Sequence, residues 1–315
     1  MKKHITYLDL FSGLGAFAKG LNDAGFSFKN HYYSVIDKHA IANYSFNFKN
    51  AKNLGDVQKI KHKKIQRPDI ITFGSPCQDI SHSGLKTGIQ GKRSKLFFDA
   101  IKIIDKMRPS IFVFENVKGL FFSNKGKDFE VVLREIANLG LYECQWQLIN
   151  TAWFLPQNRE RIFIVGSLRG KSFPSVFPLI QNYEKEKKRI AKVKLVARSN
   201  NSQSGRIFSP EGISPTLMAG YDGNGYVMID KIIRRLTPLE CERIQGLPHN
   251  WTKFGIYKGE KKEISTGQRY KLLGNAITSL VMKRIGEKLL NNKRLNGINQ
   301  LQSKAIELIK QLKNI

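Results

Sequence analysis

The sequence predicts an α/β fold in which helices cover both faces of a doubly wound sheet, followed by a smaller, irregular β-containing region. Short apolar runs typical of buried strands alternate with helical patterns, which is the order expected of a sheet flanked by helices. The predicted strands are residues 5–10, 31–36, 69–73, 110–114 and 161–167, and the predicted helices include residues 18–24, 95–107 and 129–139. Between about 168 and 232 prolines are frequent and helical periodicity is poor, whereas a helix over 268–290 returns to complete the first domain.

Length and composition bound the class of protein. The 315 residues suffice for one large domain and one small one, and the apolar content of 41% supports a core. The chain has 53 Lys and Arg against 25 Asp and Glu, so its net charge of +28 indicates a polyanionic partner and salt-dependent binding. An AT-rich genome is an alternative source of part of the lysine excess.

The three cysteines lie far apart, so no pair has metal-ligand spacing and zinc is not expected. Their odd number fits a reducing compartment. Asp9 interrupts the first apolar run, and no stretch approaches the length of a membrane span. We therefore expect neither a signal peptide nor a membrane segment.

One cysteine stands where a predicted strand gives way to a polar loop. Residues 74–81 read Gly-Ser-Pro-Cys-Gln-Asp-Ile-Ser and follow the apolar run at 69–73, which places Cys77 on a rigid turn at a strand end. A nucleophile is held toward its substrate in this way. The alternative is an inert cysteine buried in a turn, because free cysteines are commonly buried.

Two further features fall on the same predicted edge of the sheet. The first strand leads into a glycine turn at 11–15 and then a helix, an arrangement whose backbone N–H groups suit a nucleotide-type ligand. This turn is not GxGxxG, so a dinucleotide is not the first choice. Glu115 follows the strand at 110–114, and ligands of open parallel sheets bind at the carboxyl ends of the strands. A solvated acid at a strand end is the alternative for Glu115.

Seven motifs, in order and over nearly the whole chain, resemble those of C5 cytosine DNA methyltransferases of the bacterial or phage type. They are Asp9–Gly15 (cofactor loop), Gly55-Asp56 (adenine-binding turn), Gly74–Gln78 (catalytic loop), Glu115–Val117 (target-base motif), Gln157–Arg161 (catalytic arginine), Arg235–Gly246 (helix supporting the recognition domain) and Gly274–Ala276 (closure of the cofactor pocket).

The resemblance implies a Rossmann-like methyltransferase sheet with a smaller target-recognition domain. Residues 1–167 would form the catalytic and cofactor-binding domain, completed by about 266–315. Residues 168–265 would form the target-recognition region, with its core at 168–232 and a supporting helix near 237–246.

In the implied reaction, a thiolate adds to carbon 6 of cytosine so that carbon 5 can attack a sulfonium methyl group. By resemblance, Cys77 is the nucleophile. Glu115 would hydrogen-bond N3 and the exocyclic amine and stay protonated toward N3. Arg161 would lie near the base, and Pro76 would shape the catalytic loop.

The implied cofactor is S-adenosylmethionine, which leaves as S-adenosylhomocysteine. Its pocket would comprise Phe11, Gly13, Leu14, Gly15, Ile36, Asp56, Val57, Gly74, Leu96 and Asn275. One residue departs from the family pattern: Val35 stands where the family has an acid that binds the ribose hydroxyls. Strand alternation would point Asp37 to the same side as Val35, and whether Asp37 replaces the missing contact stays open.

The implied substrate is cytosine in double-stranded DNA, which has to be flipped out of the helix to react. The loop at 78–95, rich in Gly, Ser and Lys, is long enough to suggest function. The predicted DNA contacts are Gln78, Ser81, Lys92, Arg93, Arg159, Arg206, Thr216 and Asn224. An ion pair with Glu160 is the alternative for Arg159, and an ordinary loop position is the alternative for Arg206 and Asn224.

We expect a monomer in the bacterial cytoplasm, associated with the nucleoid. The sequence leaves open whether a companion restriction endonuclease exists and which DNA sequence is recognised.

Two other classes of function are compatible with parts of this pattern. An RNA cytosine methyltransferase would share the fold, but the Cys-Phe-Thr signature of the RNA-acting branch is absent. A DNA-binding homologue with a dead site is the second alternative. Intact Pro76, Cys77, Glu115 and Arg161 argue against it, and Val35 is the one argument for it.

Overall fold

A mixed seven-stranded sheet forms the centre of the molecule. The computed structural model describes residues 2–76, 96–170, 175–180, 192–198, 206–219 and 226–291. The strands of this sheet are β1 (Lys3–Leu10), β2 (Phe26–Ser34), β3 (Ala51–Asn53), β4 (Ile70–Phe73), β5 (Ile111–Val117), β6 (Tyr142–Asn150) and β7 (Glu160–Leu168). They lie in the order β3-β2-β1-β4-β5-β7-β6, and β7 runs antiparallel to both of its neighbours.

Helices cover both faces of this sheet, as predicted. Those in the described ranges are α1 (Ala16–Ala24), α2 (Lys38–Asn47), α3 (Leu96–Met107), α4 (Lys127–Asn138), α5 (Pro238–Ile244), α6 (Thr266–Asn275) and α7 (Ser279–Leu290). One hydrophobic cluster joins the sheet to α1, α2, α6 and α7, and a second joins it to α3 and α4. None of these helices has both the length and the apolar character needed to cross a membrane.

Two element boundaries differ from the prediction in ways that matter for the site. β5 does not stop at residue 114 but continues to Val117, because the ladder with β7 extends to the pair Val117–Arg161. Glu115 therefore lies inside a strand. β2 begins earlier than predicted and ends at Ser34, so Val35 and Asp37 follow the strand instead of alternating within it.

The helix predicted over 268–290 is wrong as a single element. The chain forms α6 and α7, and Ala276 between them adopts an extended conformation (φ −73°, ψ 152°). The carbonyls of Gly274 and Ala276 instead accept hydrogen bonds from a distant arginine side chain.

Late in the chain a small four-stranded sheet accompanies the central one. Its strands, in the order β11-β10-β9-β8, are β8 (Leu195–Arg198), β9 (Arg206–Phe208), β10 (Tyr226–Ile229) and β11 (Ile232–Arg235). Helix α5 follows, and Thr237 and Glu240 cap it reciprocally. A hairpin of β12 (Phe254–Tyr257) and β13 (Glu260–Glu263) then packs against α2.

Helices α1 and α7 approach so closely that one position on α1 has no room for a side chain. A Cβ atom on Gly20 would lie 2.6 Å from both the Met282 Cβ and the Ser279 carbonyl oxygen. One of these contacts is with backbone, which cannot rotate away. This contact fixes α1, which directly follows the glycine turn.

We predict that Gly20→Ala lowers the free energy of unfolding by about 1–3 kcal/mol, because overpacking forces the helices apart. The matched control is Gly267→Ala in α6, where a Cβ would meet nothing within 4 Å. There alanine should be neutral or stabilise by up to about 1 kcal/mol through helix propensity. Urea unfolding of the two variants measures both effects, and equal stabilities would contradict the packing argument.

Candidate active site

The turn after β1 contains two glycines in the left-handed backbone region, which glycine adopts most readily. Gly13 and Gly15 have φ values of 53° and 83°. A Cβ atom on Gly15 would also lie 2.6 Å from the Phe48 ring. The Trp251 indole N–H donates to the Leu14 carbonyl over 3.1 Å and so holds the turn from outside. The first turn of α1 is thereby presented at the carboxyl end of β1.

Beside this turn, an apolar side chain faces outward. Ile36 is 76% exposed, whereas its neighbour Val35 packs against the core. The Asp37 side chain, unlike that of Val35, makes polar contacts. Its carboxylate accepts from the His39 and Ala40 amides at 2.9 and 3.0 Å and lies 2.7 Å from Lys271 Nζ. The Asp37 carboxylate is thus engaged with the start of α2 and with Lys271.

The remaining predicted cofactor residues surround the same edge. Asp56 accepts from the Gln58 amide at 3.1 Å and begins a short 3₁₀ turn, in which Val57 is buried. Leu96 is half-buried at the start of α3, and Asn275 is exposed at the end of α6. These positions are compatible with an adenosyl group lying across Ile36 and Val57.

A buried polar network lies at the carboxyl end of β1, beneath the glycine turn. The fully buried Asp9 accepts from Thr72 Oγ1 at 2.9 Å and from the Tyr44 hydroxyl at 3.2 Å. His31 Nε2 lies 2.7 Å from the same Tyr44 hydroxyl, and the Tyr7 hydroxyl bonds to Thr72. Burial raises the pKa of Asp9 to about 8, although the hydroxyls of Thr72, Tyr44 and Tyr7 oppose this. Burial also lowers the pKa of His31 to about 3, so both groups are neutral near pH 7.

The centre of the candidate site is an acid paired with an arginine across β5 and β7. Glu115 is 8% exposed, and its Oε1 lies 3.1 Å from Arg161 Nε. Arg161 Nη1 also donates to the Glu160 carbonyl at 2.8 Å. Burial raises the pKa of Glu115 above its ordinary value, although the charges of Arg161 and Arg159 act against it. The carboxyl is therefore shielded, oriented and shifted toward its protonated form.

The end of β4 meets this acid. A Cβ atom on Gly74 would lie 3.0 Å from Glu115 Oε2, so a larger residue there would crowd the carboxyl. The Asn116 side-chain amide donates to Ser75 Oγ at 3.3 Å, and half-buried Pro76 follows. Cys77 comes next in the chain and lies outside the described residues.

The two other cysteines are unsuited to act as nucleophiles. Burial raises the pKa of the thiols of Cys144 and Cys241 to about 12, with smaller opposing effects of nearby arginines and acidic groups. Both therefore remain thiols near neutral pH, whereas attack requires a thiolate.

Among the predicted DNA contacts, Arg159 requires correction. It is only 3% exposed, and its guanidinium donates to the carbonyls of Leu217, Gly274 and Ala276 at 3.0, 3.2 and 2.6 Å. A side chain buried among backbone carbonyls does not reach a DNA phosphate, so this prediction is wrong. The alternative for Arg159 is an ion pair with Glu160, but the Glu160 carboxylate pairs with Lys118 at 2.9 Å.

Two of the other predicted DNA contacts lie within the described residues. Thr216 is half-buried, and its hydroxyl donates to the Asn158 carbonyl at 2.7 Å. Arg206 is half-buried at the start of β9. Gln78, Ser81, Lys92, Arg93 and Asn224 lie outside the described residues.

Sequence reasoning missed residues that shape the site from far along the chain. Trp251 contacts Leu14, and Lys271 contacts Asp37, across separations of 237 and 234 residues. Neither residue belongs to a motif in the sequence. Only the folded chain brings them to the edge of the sheet where the cofactor is predicted to bind.

Comparisons with known proteins agree on one family. The family described as C-5 cytosine-specific DNA methylase matches residues 5–210 and 179–291. The chain is 30% identical to the type II methyltransferase M.DsaV of Dactylococcopsis salina, over 92% of this chain and 87% of that protein. It is also 30% identical to the type II methyltransferase M.HhaI of Haemophilus parahaemolyticus, over 89% and 93%.

Two further similarities are more limited: one covers about half of this chain, and the other concerns the fold alone. The orphan methyltransferase M.Rho11sI of Bacillus phage rho11s is 40% identical over 51% of this chain and 33% of its own length. Among solved structures, the S. pombe Dnmt2 methyltransferase superposes with a TM-score of 0.66 at 19% identity, covering 91% of this chain and 98% of that one. The latter likeness supports the fold.

We predict that Asp9→Asn removes a fall in stability between about pH 6.5 and 8. In this window the unfolded chain has released the Asp9 proton that the folded protein keeps, so Asp9 lowers wild-type stability as pH rises. Below about pH 6.5 the buried His31 acts in the opposite direction, because the unfolded chain there binds a proton that the folded protein excludes. The slope from one such group is about 1.4 kcal/mol per pH unit. Urea unfolding between about pH 6.5 and 8 should show a shallower slope for Asp9→Asn. The exposed control Asp23→Asn should follow the wild-type slope, and identical slopes for all three proteins would contradict the assignment.

Proposed function

Because the chain belongs to the C-5 cytosine-specific DNA methylase family, we propose that it methylates a flipped cytosine in duplex DNA through a covalent bond to Cys77. The family makes it a DNA (cytosine-5) methyltransferase, with S-adenosylmethionine as the methyl donor. The structural observation that carries the mechanism is the buried pair of Glu115 and Arg161 beside the end of β4. A pair of this kind can protonate and orient a base in an environment shielded from water.

The first chemical step would place charge on the base. Addition of the Cys77 thiolate to carbon 6 pushes an electron pair toward N3, and carbon 5 becomes nucleophilic. Glu115 would donate its proton to N3 and accept from the exocyclic amine. The raised pKa of Glu115 supports this role, because burial favours the protonated carboxyl.

Arg161 would fix the direction of that proton. Its Nε holds Glu115 Oε1 at 3.1 Å. Oε2 faces the position where Gly74 has no side chain. We propose that the base approaches Oε2, and that the Arg161 charge steadies the carboxylate formed when its proton has moved. After methyl transfer, a base would remove the carbon 5 proton, the sulfur–carbon bond would break to restore the Cys77 thiolate, and N3 would return its proton to Glu115.

The residues at the cofactor edge fit an adenosyl ligand. Exposed Ile36 beside the glycine turn is an apolar surface that the core does not use. The free N–H groups at the start of α1 and exposed Asn275 supply polar contacts. When bound, S-adenosylmethionine supplies an electrophilic methyl group. The turn at Leu14, held by Trp251, would set its position relative to Glu115.

The family match favours DNA over RNA as substrate. We propose that the protein acts as a monomer in the bacterial cytoplasm, on chromosomal or phage DNA. Its relatives include type II and orphan enzymes, so a companion restriction endonuclease is compatible with both the sequence and the fold.

The nucleophile can be tested by substitution. We predict that Cys77→Ala abolishes methyl transfer to duplex DNA and the covalent adduct with DNA containing 5-fluorocytosine, while sequence-specific DNA binding persists. Cys144→Ala is the matched control and should retain activity, because its buried thiol stays protonated. Turnover by Cys77→Ala would refute the covalent mechanism, whereas a wild-type protein without methyl transfer would favour the dead-site alternative.

The effect of Val35, which replaces the family's ribose-binding acid, can be tested by introducing an acid at this position. We predict that Val35→Glu tightens S-adenosylmethionine binding by roughly 1–2 kcal/mol, the scale of a hydrogen bond to a charged group. Asp37 is engaged with α2 and Lys271 and should not already supply this contact. Val35→Gln, of similar size but uncharged, is the control. Calorimetry showing unchanged or weaker binding for Val35→Glu would mean that another group serves the ribose.

The recognition region can be tested by exchange. We propose that residues 168–232 determine which DNA sequence is recognised by contacting base edges. Contacts with base edges distinguish one sequence from another, whereas contacts with phosphates only position the protein on the duplex. Replacing this segment by the matching one from a relative of known specificity should transfer that relative's site. Bisulfite sequencing of DNA from expressing cells reads the result. If the chimera kept the site preference of the recipient protein, the assignment of residues 168–232 to sequence recognition would be overturned.

A further inference from the structure

Arg159 is a buried cation that the proposed chemistry does not use. It lies immediately before β7, two residues from Arg161, and is 3% exposed. Its guanidinium reaches two separate stretches of backbone. Nη1 donates to the Leu217 carbonyl, and Nη2 donates to the carbonyls of Gly274 and Ala276.

The first stretch carries a proposed DNA contact. Leu217 directly follows Thr216, and its amide donates to Gln157 Oε1 at 3.2 Å. The Asn158 amide donates to the Ser214 carbonyl at 2.8 Å, and Thr216 bonds back to Asn158. The Thr216 segment is therefore attached to the start of β7 by backbone and side chains together.

The second stretch carries a proposed cofactor contact. Gly274 and Ala276 flank exposed Asn275 where α6 ends. A cation is favoured at this helix end, because unpaired carbonyls concentrate negative charge there. Gly274 also touches the other stretch, since a Cβ there would lie 2.2 Å from the Met218 carbonyl.

We propose that Arg159 is a positioning residue that locks the Asn275 turn to the Thr216 segment, so that cofactor binding and DNA binding are energetically coupled. The inference rests on the proposed roles of Asn275 and Thr216. A planar guanidinium can bond three carbonyls in a fixed geometry, whereas a lysine ammonium on a flexible stem cannot reproduce the fork. Coupling of this kind is reciprocal, so either ligand should strengthen binding of the other by the same factor.

The test measures the affinity for a duplex with and without S-adenosylhomocysteine, in wild type, Arg159→Met and Arg159→Lys. Wild type should bind the duplex more tightly when the product is present. In Arg159→Met this ratio should fall to one, and S-adenosylhomocysteine alone should bind about tenfold more weakly. Arg159→Lys should be intermediate. Arg284→Met, which removes an exposed arginine paired with Glu287 on α7, should behave as wild type.

A double-mutant cycle separates positioning from general damage. If Arg159 acts through Asn275, the losses of S-adenosylhomocysteine affinity in Arg159→Lys and Asn275→Ala should not add. The losses in Arg159→Lys and Asp56→Ala should add, because Asp56 lies at another part of the pocket. The lysine variant also serves if Arg159→Met does not fold.

The results distinguish this inference from the proposed function. A wild-type ratio of one, an unchanged ratio in both Arg159 variants, or additive losses with Asn275→Ala would overturn the coupling. An inactive wild-type enzyme would overturn the proposed function instead, whatever the binding data showed.

Discussion

The direction of β7 is the constraint on which the site depends. In a fully parallel sheet, the start of every strand lies at the edge opposite the ligand. Because β7 runs antiparallel to β5, its first residues reach the carboxyl edge, and Val117 pairs with Arg161 there. This reversal allows an arginine at the start of one strand to hold Glu115 near the end of its neighbour.

The same reversal organises the segment before β7. Gln157, Arg159 and Arg161 alternate along it and take different tasks. Gln157 is fully buried and bonds the carbonyl of Ile244, at the end of α5, and the Leu217 amide. Arg159 bonds backbone beside Asn275, and Arg161 bonds the acid. One short stretch thus connects the acid, the proposed cofactor edge and the proposed recognition region, which explains why it is rich in buried polar side chains.

The sequence predicts the position of the site at one edge of the sheet. It does not predict strand direction or contacts between distant parts of the chain, because neither leaves a local pattern. Strand and helix periodicity, with the motifs at Gly15, Pro76 and Glu115, places the site at one edge of an α/β sheet. Periodicity carries no sign of strand direction, so the antiparallel β7 is invisible. The break between α6 and α7 is invisible too, since it accompanies carbonyl contacts with an arginine more than 110 residues away. Arg159 shows the same limit, because its place in the motif suggests a phosphate contact and only the fold shows its guanidinium buried among backbone carbonyls.

The decisive step of the proposed mechanism is proton transfer from Glu115 to the base, with Arg161 orienting the carboxyl group. The most direct measurement is the single-turnover rate of methyl transfer by Glu115→Gln at saturating S-adenosylmethionine and duplex DNA. Glutamine keeps the shape and can donate one hydrogen bond and accept another, but it cannot transfer a proton. We expect a rate lower by about 100-fold or more, the usual scale of general acid catalysis, with DNA affinity retained. A rate within a few-fold of wild type would contradict it.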